Sequence, residues 1–510
     1  MIHRYIEKIL RARVYDVAIE TSLDLAAILS ARYKNIIYLK REDLQPVFSF
    51  KLRGAYNKIS QLTDEERQRG VIAASAGNHA QGLALAAKKM AIKAHIVMPT
   101  TTPEIKIQAV REKGAKTILV GDSYDEAYEY AVELAQQKQL IFIHPYDDPD
   151  VIAGQGTIGM EILRQHTGNI SAIFIPVGGG GLIAGVAAYI KFVRPEIKII
   201  GVEPADADCL NQALIAGRRV KLKQVGLFAD GVAVKQIGKE PFRLLRYLVD
   251  SVITVDTDEI CAAIKDVFDD TRSLPEPAGA LAVAGLKKYI EQKQVVNETF
   301  VAIESGANIN FDRLRYVSER AMVGEHKEVL FAVTIPEVPG TFLKFCNILG
   351  KRNITEFNYR YFDSKIAHIF VGISTSNHEA DRRDLIEMLD SEGFDAVDMT
   401  HNNLAKEHVR YMVGGHAPGL LNEHVYSVEF PERPGALLKF LTAIGGRWNI
   451  SLFHYRNHGA AFGKVLMGLQ MQIAEKKTFQ HCLDDLGFIY EEVTSNPAYS
   501  LFVGGKATEH

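Results

Sequence analysis

The first 320 residues alternate between short, wholly apolar runs and longer helix-favouring stretches. The runs at 71–74, 94–98, 172–177 and 198–203 are each bounded by turn residues or by a helical pattern. Strands that are apolar on both faces belong to parallel sheets covered by helices. The pattern therefore predicts an α/β fold for this part of the chain.

Beyond about residue 325 the alternation gives way to an internal repeat. Segment 331–345 matches 426–440, and Pro339-Gly340 in the first copy corresponds to Pro434-Gly435 in the second. Each copy reads strand, turn, helix, strand, strand, helix, strand, which is the split βαβ, ferredoxin-like plan. A stretch near 402–424, rich in Asn, His, Gly and Pro, is predicted to link the two copies.

Composition narrows the class of protein. The chain has 510 residues, is 47% hydrophobic and 24% charged, and carries a net charge of −3, which suits an ordinary globular protein of several domains. No basic stripe indicates nucleic-acid binding, and no apolar run is long enough to cross a bilayer. The four cysteines show no metal or redox spacing, and the first residues show no signal-peptide pattern. We expect a reduced cytoplasmic protein that binds neither nucleic acid nor membrane.

Lys51 lies between Phe50 and Leu52, just past the turn-prone Gln45-Pro46. An ammonium held among apolar groups loses solvation, so its pKa falls. A neutral amine is the form that attacks a carbonyl to make a Schiff base. By itself this lysine is more often a solvated surface charge.

Four consecutive glycines, Gly178 to Gly181, join a predicted strand to a predicted helix that starts near Leu182. Glycine backbones can approach an anion closely, and the helix N-terminus adds a favourable dipole. The run lacks the lysine of a P-loop and the spacing of a dinucleotide site. The alternative is a flexible turn, but the position between strand and helix favours a phosphate site.

Two further segments follow predicted strands. Ser75-Ala76-Gly77-Asn78-His79 could bind a carboxylate with its N–H groups and polar side chains, or could simply cap a helix. Ser305 follows the strand at 299–303, at the edge where open α/β sheets place ligands. Its hydroxyl could bond a ring nitrogen, although a serine in a turn is the commoner case.

Together these segments resemble the fold-type II family of pyridoxal-phosphate enzymes, which includes threonine and serine dehydratases, cysteine synthase and the tryptophan synthase β chain. The Ser-Phe-Lys, Ser-Ala-Gly-Asn-His, glycine-run and Ser-Gly-Ala-Asn motifs occur in the family's order. The tandem repeat is similar to the amino-acid-binding (ACT-like) modules of its regulated dehydratases. The resemblance covers essentially the whole chain.

The resemblance implies pyridoxal 5'-phosphate as cofactor and a role for each motif. Lys51 would hold the cofactor covalently and act as the catalytic base, and Phe50 would pack against its ring. Asn78 would bond the ring's phenolic oxygen, and Ser305 would face the pyridine nitrogen. The implied phosphate ligands are Gly178, Gly179, Gly180, Gly181 and Leu182, and the implied substrate-carboxylate loop is Ser75, Ala76, Gly77, Asn78 and His79.

Two residues bear on the reaction that the resemblance implies. A neutral Ser305 makes the ring a weaker electron sink than an aspartate would, which favours β-elimination over transamination. Ala76 stands where related serine racemases carry their second proton carrier. The expected reaction converts L-threonine to 2-oxobutanoate and ammonia, and L-serine to pyruvate.

The resemblance also implies domains and regulation. A catalytic domain at 1–322, with a small lobe at about 43–143, would be followed by ACT-like domains at 327–401 and 424–505. Isoleucine would inhibit and valine would oppose it. Candidate effector contacts are Phe357, Tyr359, Phe453 and Tyr455, although each could simply fill a core. The family is usually homotetrameric.

Some relatives bind a cation near the segment that contains Glu203. Here Cys209 stands where an acidic ligand is expected, and sulfur is a poor ligand for Mg²⁺ or Ca²⁺. We therefore expect no divalent metal.

Two other functions compete with this one. Cysteine synthase and threonine synthase use similar motifs but do not normally carry the tandem repeat. A catalytically silent amino-acid sensor would not need Lys51, the glycine run or Ser305.

Overall fold

The computed structural model describes residues 2–325, 327–338, 340–350, 352–361, 365–375, 378–407, 409–412, 414–415, 417, 420–431, 436–444, 447–456, 462–496, 499 and 503. The chain forms two compact units, 1–324 and 325–510. Among the described residues, no helix is long and apolar enough to cross a membrane.

The first unit alternates helices and strands, as the apolar pattern predicts. Its strands are β1 (Leu23–Leu25), β2 (Ile36–Arg41), β3 (Val71–Ala74), β4 (Ala94–Met98), β5 (Lys116–Leu119), β6 (Ile141–Phe142), β7 (Ala172–Pro176), β8 (Lys198–Pro204), β9 (Ser251–Val255) and β10 (Thr299–Glu304). Its helices are α1 (Ile2–Leu10), α2 (Ala27–Tyr33), α3 (Lys51–Ser60), α4 (Asp64–Arg69), α5 (Asn78–Lys89), α6 (Glu104–Arg111), α7 (Tyr124–Lys138), α8 (Pro149–Gln165), α9 (Gly181–Val193), α10 (Cys209–Ala216), α11 (Lys239–Leu248), α12 (Thr257–Thr271), α13 (Pro277–Lys293) and α14 (Arg313–Gly324).

Two sheets organise this unit. The larger has six strands in the order β1-β2-β10-β7-β8-β9, and all of its pairs are parallel except β1 with β2. The smaller is wholly parallel, in the order β5-β4-β3-β6. Strands β3 and β7 are buried along their whole length, as continuous apolar runs require. The predicted α/β class with two parallel-sheet lobes is confirmed.

Helix starts in this unit follow capping chemistry. The Asp148 carboxylate accepts from the backbone N–H groups of Asp150 and Val151 at the start of α8, and Pro149 occupies the first turn. Asp256 and Glu259 form a reciprocal capping box at the start of α12.

The second unit contains the repeat. Its strands are β11 (Glu328–Pro336), β12 (Ile354–Arg360), β13 (Ile366–Ser374), β14 (Asp395–Asp398), β15 (Glu423–Pro431), β16 (Asn449–Arg456), β17 (Phe462–Gln470) and β18 (Ile489–Glu492). Its helices are α15 (Thr341–Leu349), α16 (His378–Ser391), α17 (Asn403–Glu407), α18 (Ala436–Ile444) and α19 (Lys476–Leu486). Each copy therefore has the predicted strand–helix–strand–strand–helix–strand order, and the ferredoxin-like class is confirmed.

The two copies share one eight-stranded antiparallel sheet, ordered β14-β11-β13-β12-β16-β17-β15-β18. Strands β12 and β16 join them, with Phe357 opposite Tyr455 and Tyr359 opposite Phe453. The phenylalanine of each copy thus lies opposite the tyrosine of the other copy, a reciprocal pairing that an internal pseudo-twofold axis requires and that the sequence did not predict.

The structure describes parts of the predicted turns and of the predicted linker. Gly340 precedes α15 with φ of 92°, a left-handed conformation that glycine tolerates, whereas Pro339, Pro434 and Gly435 lie outside the described residues. The predicted linker near 402–424 contains α17, and within it the buried Arg410 guanidinium donates to Glu356 at 2.9 Å. This part of the linker therefore packs against the first repeat.

Candidate active site

The predicted site segments meet at the carboxyl ends of the strands in the first unit. Residues 75–77 connect β3 to α5, residues 177–180 connect β7 to α9, and Ser305 follows β10. The segment before α3 joins them, because Phe50 N donates to Ser305 O at 3.3 Å and Ala307 N donates to Phe48 O at 2.9 Å. Ligands of open α/β sheets bind at this edge.

Lys51 is the first residue of α3, and its amine is buried beside a backbone carbonyl and an aromatic ring. The Nζ atom is 3.5 Å from the Pro145 carbonyl oxygen and 5.1 Å from the centre of the Phe50 ring. Burial lowers the pKa of Lys51 to about 8, although the negative charge of Glu276 opposes that shift. A useful fraction of the amine is therefore neutral near physiological pH, which is the form that attacks a carbonyl.

Close packing leaves no room for side chains at two positions of the glycine run. A Cβ on Gly179 would lie 2.2 Å from the Tyr146 ring, and one on Gly178 would lie 2.9 Å from the Val232 backbone. Gly180 has φ of 90° and caps α9 from its N-terminal side. The first N–H groups of a helix lack intrahelical partners and attract anions. The run can therefore cradle a phosphate. No motif in the sequence indicates Tyr146 as its packing partner.

Asn78 and Ser305 both contact the start of α13. The Asn78 side chain donates to Glu276 Oε1 at 2.5 Å and accepts from Asn308 Nδ2 at 2.7 Å. The Ser305 hydroxyl donates to Ala278 O at 3.2 Å. Glu276 is a further residue of the site that carried no sequence signal, because it is distant in sequence from every motif.

The loop before α5 caps the helix and leaves the carboxylate-binding alternative open as a prediction. The Ser75 hydroxyl accepts from the N–H groups of Gly77 and Ala80, each at 3.3 Å, which supports the capping alternative. A Cβ on Gly77 would meet nothing within 4 Å, so space lies open beside the loop. The loop can therefore still receive a small carboxylate.

His79 is buried beside this loop. Its Nε2 lies 3.0 Å from the Ile143 carbonyl oxygen, so Nε2 carries the proton and donates. Burial, followed by the charge of Lys51, lowers the pKa of His79 to about 3. Among the described residues, its Nδ1 and the Ser49 Oγ are buried polar atoms without a hydrogen-bond partner.

These residues fit pyridoxal 5'-phosphate. Lys51 supplies an amine of lowered pKa, the glycine run supplies an anion cradle, and Asn78 and Ser305 supply polar atoms for a ring. The unpartnered Ser49 Oγ and His79 Nδ1 indicate that a further polar group belongs near Lys51.

The predicted effector residues separate into two kinds. Phe357 and Phe453 are at most 1% exposed, and their rings pack 5.6 Å apart, so both fill the core of the shared sheet. The Tyr359 ring belongs to the same core, but its hydroxyl donates to the Glu337 carboxylate at 2.7 Å, and the residue lines a pocket between the two repeats. Tyr455 is partly buried against the same core. Other residues that line the pocket are Phe342, Leu441, Ile444, Trp448, Asn449 and Ile450.

Glu203 and Cys209 lie behind the glycine run. The Glu203 carboxylate accepts from the N–H groups of Leu210 and Asn211 at the start of α10, and burial raises its pKa to about 8. The Cys209 thiol donates to the Gly178 carbonyl at 3.4 Å. Among the described residues, no group of three or more His, Cys, Asp or Glu side chains could hold a metal ion. The absence of a divalent metal stays a prediction.

Family models match most of the chain. Residues 15–306 match the pyridoxal-phosphate-dependent enzyme family. Residues 319–409 and 414–503 each match the C-terminal regulatory domain of threonine dehydratase.

Curated proteins and solved structures agree with these matches. The chain is 57% identical to the L-threonine dehydratase biosynthetic IlvA of Burkholderia multivorans, over 98% of this chain and 99% of the relative. It is 52% identical to the Escherichia coli protein of the same name, over 98% and 97%. The processed threonine deaminase isoform 2 of Solanum lycopersicum is 53% identical with a TM-score of 0.62, over 63% of this chain and 93% of that one. A maize serine racemase is 32% identical with a TM-score of 0.58, over 64% and 98%.

Proposed function

Because the chain belongs to the threonine dehydratases, a family of pyridoxal-phosphate-dependent enzymes, it is an L-threonine ammonia-lyase, and we propose that Lys51 is its catalytic base. The observation that carries this role is the position of the Lys51 amine, 3.5 Å from the Pro145 carbonyl oxygen and next to the Phe50 ring, where burial lowers its pKa to about 8. The net reaction converts threonine to 2-oxobutanoate and ammonia, because the water lost in the elimination is taken up again when the resulting enamine hydrolyses.

When bound, the cofactor withdraws electrons from the substrate's α-carbon and so acidifies its proton. The Lys51 amine removes that proton and is then a buried ammonium. The charge of Glu276 favours this protonated state, since it opposes the effect of burial on the pKa of Lys51. A base whose pKa lies near the working pH can both take and return a proton.

The remaining site residues bind and orient. Gly178 to Gly181 and Leu182 would hold the phosphate at the N-terminus of α9, and Phe50 would pack beside the ring. Asn78 and Ser305 would contact the ring's polar atoms. Residues 75–79 would hold the substrate carboxylate, with Ala76 and Gly77 contributing backbone N–H groups only. These assignments rest on position and chemistry.

The Lys51→Ala variant tests the proposal. We expect it to lose both the near-visible absorbance of the bound cofactor and the release of ammonia from threonine. Lys89→Ala, which removes an exposed lysine at the end of α5, should keep both. A Lys51→Ala enzyme that kept either property would show that another group is the base.

Elimination is favoured over racemisation. Ala76 offers no hydroxyl as a second proton carrier, and we propose that L-serine is a second elimination substrate that yields pyruvate. Chiral analysis of serine incubated with the enzyme checks this, because accumulation of D-serine at a rate comparable to that of pyruvate would contradict it.

We further propose that the pocket between the repeats binds isoleucine, which inhibits, and that valine opposes it. The pocket places one carboxylate, Glu337, beside aliphatic and aromatic walls that include Ile444 and Trp448. An α-amino acid with a branched aliphatic side chain matches this arrangement, since its ammonium can pair with Glu337. Of the four effector candidates, Tyr359 is therefore the one that we place in contact with ligand.

Full-length Glu337→Gln and Tyr359→Phe variants test this site. We expect both to keep threonine turnover and to need at least tenfold more isoleucine for half inhibition, which corresponds to about 1.4 kcal/mol of binding. Tyr490→Phe, in the same unit but outside the pocket, should be inhibited like the parent. Unchanged isoleucine inhibition in both pocket variants would place the effector elsewhere.

Assembly and boundaries are proposed on the family resemblance. We propose a cytoplasmic homotetramer, with a catalytic domain at 1–322, its small lobe at about 43–143, and regulatory domains at 327–401 and 424–505. The mass of the purified enzyme in solution tests the tetramer, and limited proteolysis tests the boundaries.

A further inference from the structure

The first turn of α13 contacts both residues that are proposed to touch the cofactor ring. Ser305 Oγ donates to Ala278 O at 3.2 Å, and Asn78 Nδ2 donates to Glu276 Oε1 at 2.5 Å. The backbone N–H of Glu276 in turn donates to Gly306 O at 3.1 Å. Glu276 is thus part of the site, although no sequence motif contains it.

A chain of hydrogen bonds fixes which way the Asn78 carboxamide points. The Val47 carbonyl can only accept, so the group of Asn308 that lies 2.8 Å from it is the amino group. The same amino group lies 2.7 Å from Asn78, which must therefore present its oxygen there. The amino group of Asn78 is left facing Glu276. With Asn78 in this orientation, Glu276 must accept the hydrogen bond from the Asn78 amino group.

The Glu276 carboxyl occupies a space that Gly306 keeps open. A Cβ on Gly306 would lie 2.8 Å from Oε1, which is too close for that atom to stay in place. The Gly306 Cβ would also lie 3.1 Å from Ser49 Cβ, in the segment that leads to Lys51. Glu276 is 5% exposed. A buried carboxyl at the junction of these loops is costly unless it is paired.

Charged groups of both signs surround this carboxyl. Burial and then Asp230 raise the pKa of Glu276 to about 7, whereas the Asn78 hydrogen bond, Lys106 and Lys51 lower it. Lys106 reaches Asp230 at 2.8 Å, so the two partly neutralise each other. Lys51 is a further cation that acts on Glu276, and the charge of Glu276 opposes the loss of the Lys51 proton.

We propose that Glu276 is a positioning residue of the elimination reaction: its carboxyl holds the Asn78 carboxamide in one orientation, and its negative charge stabilises the Lys51 ammonium. This rests on the roles proposed above for Asn78 and Lys51. The active form of Glu276 is the carboxylate. Both of its oxygens can accept from the Asn78 amino group, and its negative charge balances the positive charge of Lys51. Activity should therefore fall as Glu276 is protonated, below about pH 7.

Three substitutions separate the two effects in the full-length holoenzyme. Glu276→Gln keeps an oxygen that can accept from Asn78 but removes the charge. Glu276→Ala removes both. Glu291→Gln is the matched control, since it makes the same change at the exposed far end of the same helix, where Glu291 accepts from the Tyr33 hydroxyl at 2.8 Å.

Each variant is measured for kcat and KM against pH and for the absorption spectrum of its bound cofactor. We expect Glu276→Gln to bind cofactor normally, to lose roughly tenfold in kcat with little change in KM, and to show an acid limb displaced to lower pH, because Glu276 no longer titrates and no longer raises the pKa of Lys51. Glu276→Ala should also change the cofactor spectrum and lose roughly 100-fold in kcat, because Asn78 is no longer held. Glu291→Gln should match the parent.

A Glu276→Gln enzyme with the parent's pH profile and kcat would overturn the proposal. If that variant does not fold, Glu276→Asp replaces it. We then expect a retained but displaced acid limb, and an unchanged limb would count equally against the proposal. The Lys51→Ala variant distinguishes failure of this proposal from failure of the proposed role of Lys51. If Lys51→Ala loses absorbance and turnover while Glu276→Gln behaves like the parent, only the proposed role of Glu276 is wrong.

Discussion

The packing of Tyr146 on the glycine run gives a prediction with a defined magnitude. In a Gly179→Ala variant the new Cβ would lie 2.2 to 2.3 Å from three atoms of the Tyr146 ring. Ordinary van der Waals contact begins at about 3.4 Å, so the ring or the loop would have to move by more than 1 Å. Overpacking of this kind costs about 1–3 kcal/mol.

The cost should appear mainly as lost cofactor affinity, because the loop that must move is the proposed phosphate cradle. At about 1.4 kcal/mol per tenfold, we expect cofactor to bind roughly 5- to 150-fold more weakly. The assay is a cofactor titration followed by absorbance, with thermal unfolding measured in parallel.

A double-mutant cycle with Tyr146→Ala tests the cause. If the clash with the ring is responsible, adding Tyr146→Ala to Gly179→Ala should recover most of the lost affinity, and the coupling should exceed about 1 kcal/mol in magnitude. Tyr146→Phe should not recover it, because the clash involves ring carbons rather than the hydroxyl. Additive effects of the two substitutions would refute the reasoning.

Two other perturbations probe groups buried near the site. The fully buried Arg53 guanidinium donates to both Glu42 and Glu161. Because Arg53→Met leaves these two carboxylates without that partner, we expect it to lower the free energy of unfolding of the first unit, measured in urea, by about 3–5 kcal/mol. A loss below about 1 kcal/mol would contradict this. The pKa of His79 is about 3 in the folded protein, against the ordinary histidine value of 6.5. The unfolded chain therefore takes up the His79 proton first as pH falls, so stability is complete above about pH 6.5 and declines by up to about 1.4 kcal/mol per unit below it. His79→Gln should flatten this decline in denaturant unfolding measured from about pH 7 to about pH 4, and an unchanged slope would show that other groups cause it.

Local pattern predicted much of the architecture. The runs at 71–74 and 172–177 form buried strands because an apolar strand is stable only inside a covered sheet. The repeat predicted two ferredoxin-like units because equivalent segments adopt equivalent elements. Gly180 is glycine because its φ of 90° excludes most other residues, which is a property of the local backbone.

Other features depend on residues that are far apart in the chain. Nothing near Glu276 in the sequence indicates that its carboxyl meets Asn78, 198 residues away. The same holds for Tyr146 against Gly179, and for the Tyr359 hydroxyl, which meets Glu337 22 residues away. These contacts depend on the order of the strands in the sheets, and the spacing of apolar residues along the chain does not encode that order.

The sequence by itself determined the fold class, the repeat and the motifs that could hold a carbonyl cofactor, because each is written in a short stretch of chain. Tertiary structure decided which of these residues meet and how they titrate. Lys51 has a pKa of about 8 only because the lobe around it excludes water, while Glu276 from a distant helix supplies the opposing charge. Burial and charge–charge interactions depend on which groups lie close together in space, so these pKa shifts arise only once the chain has folded.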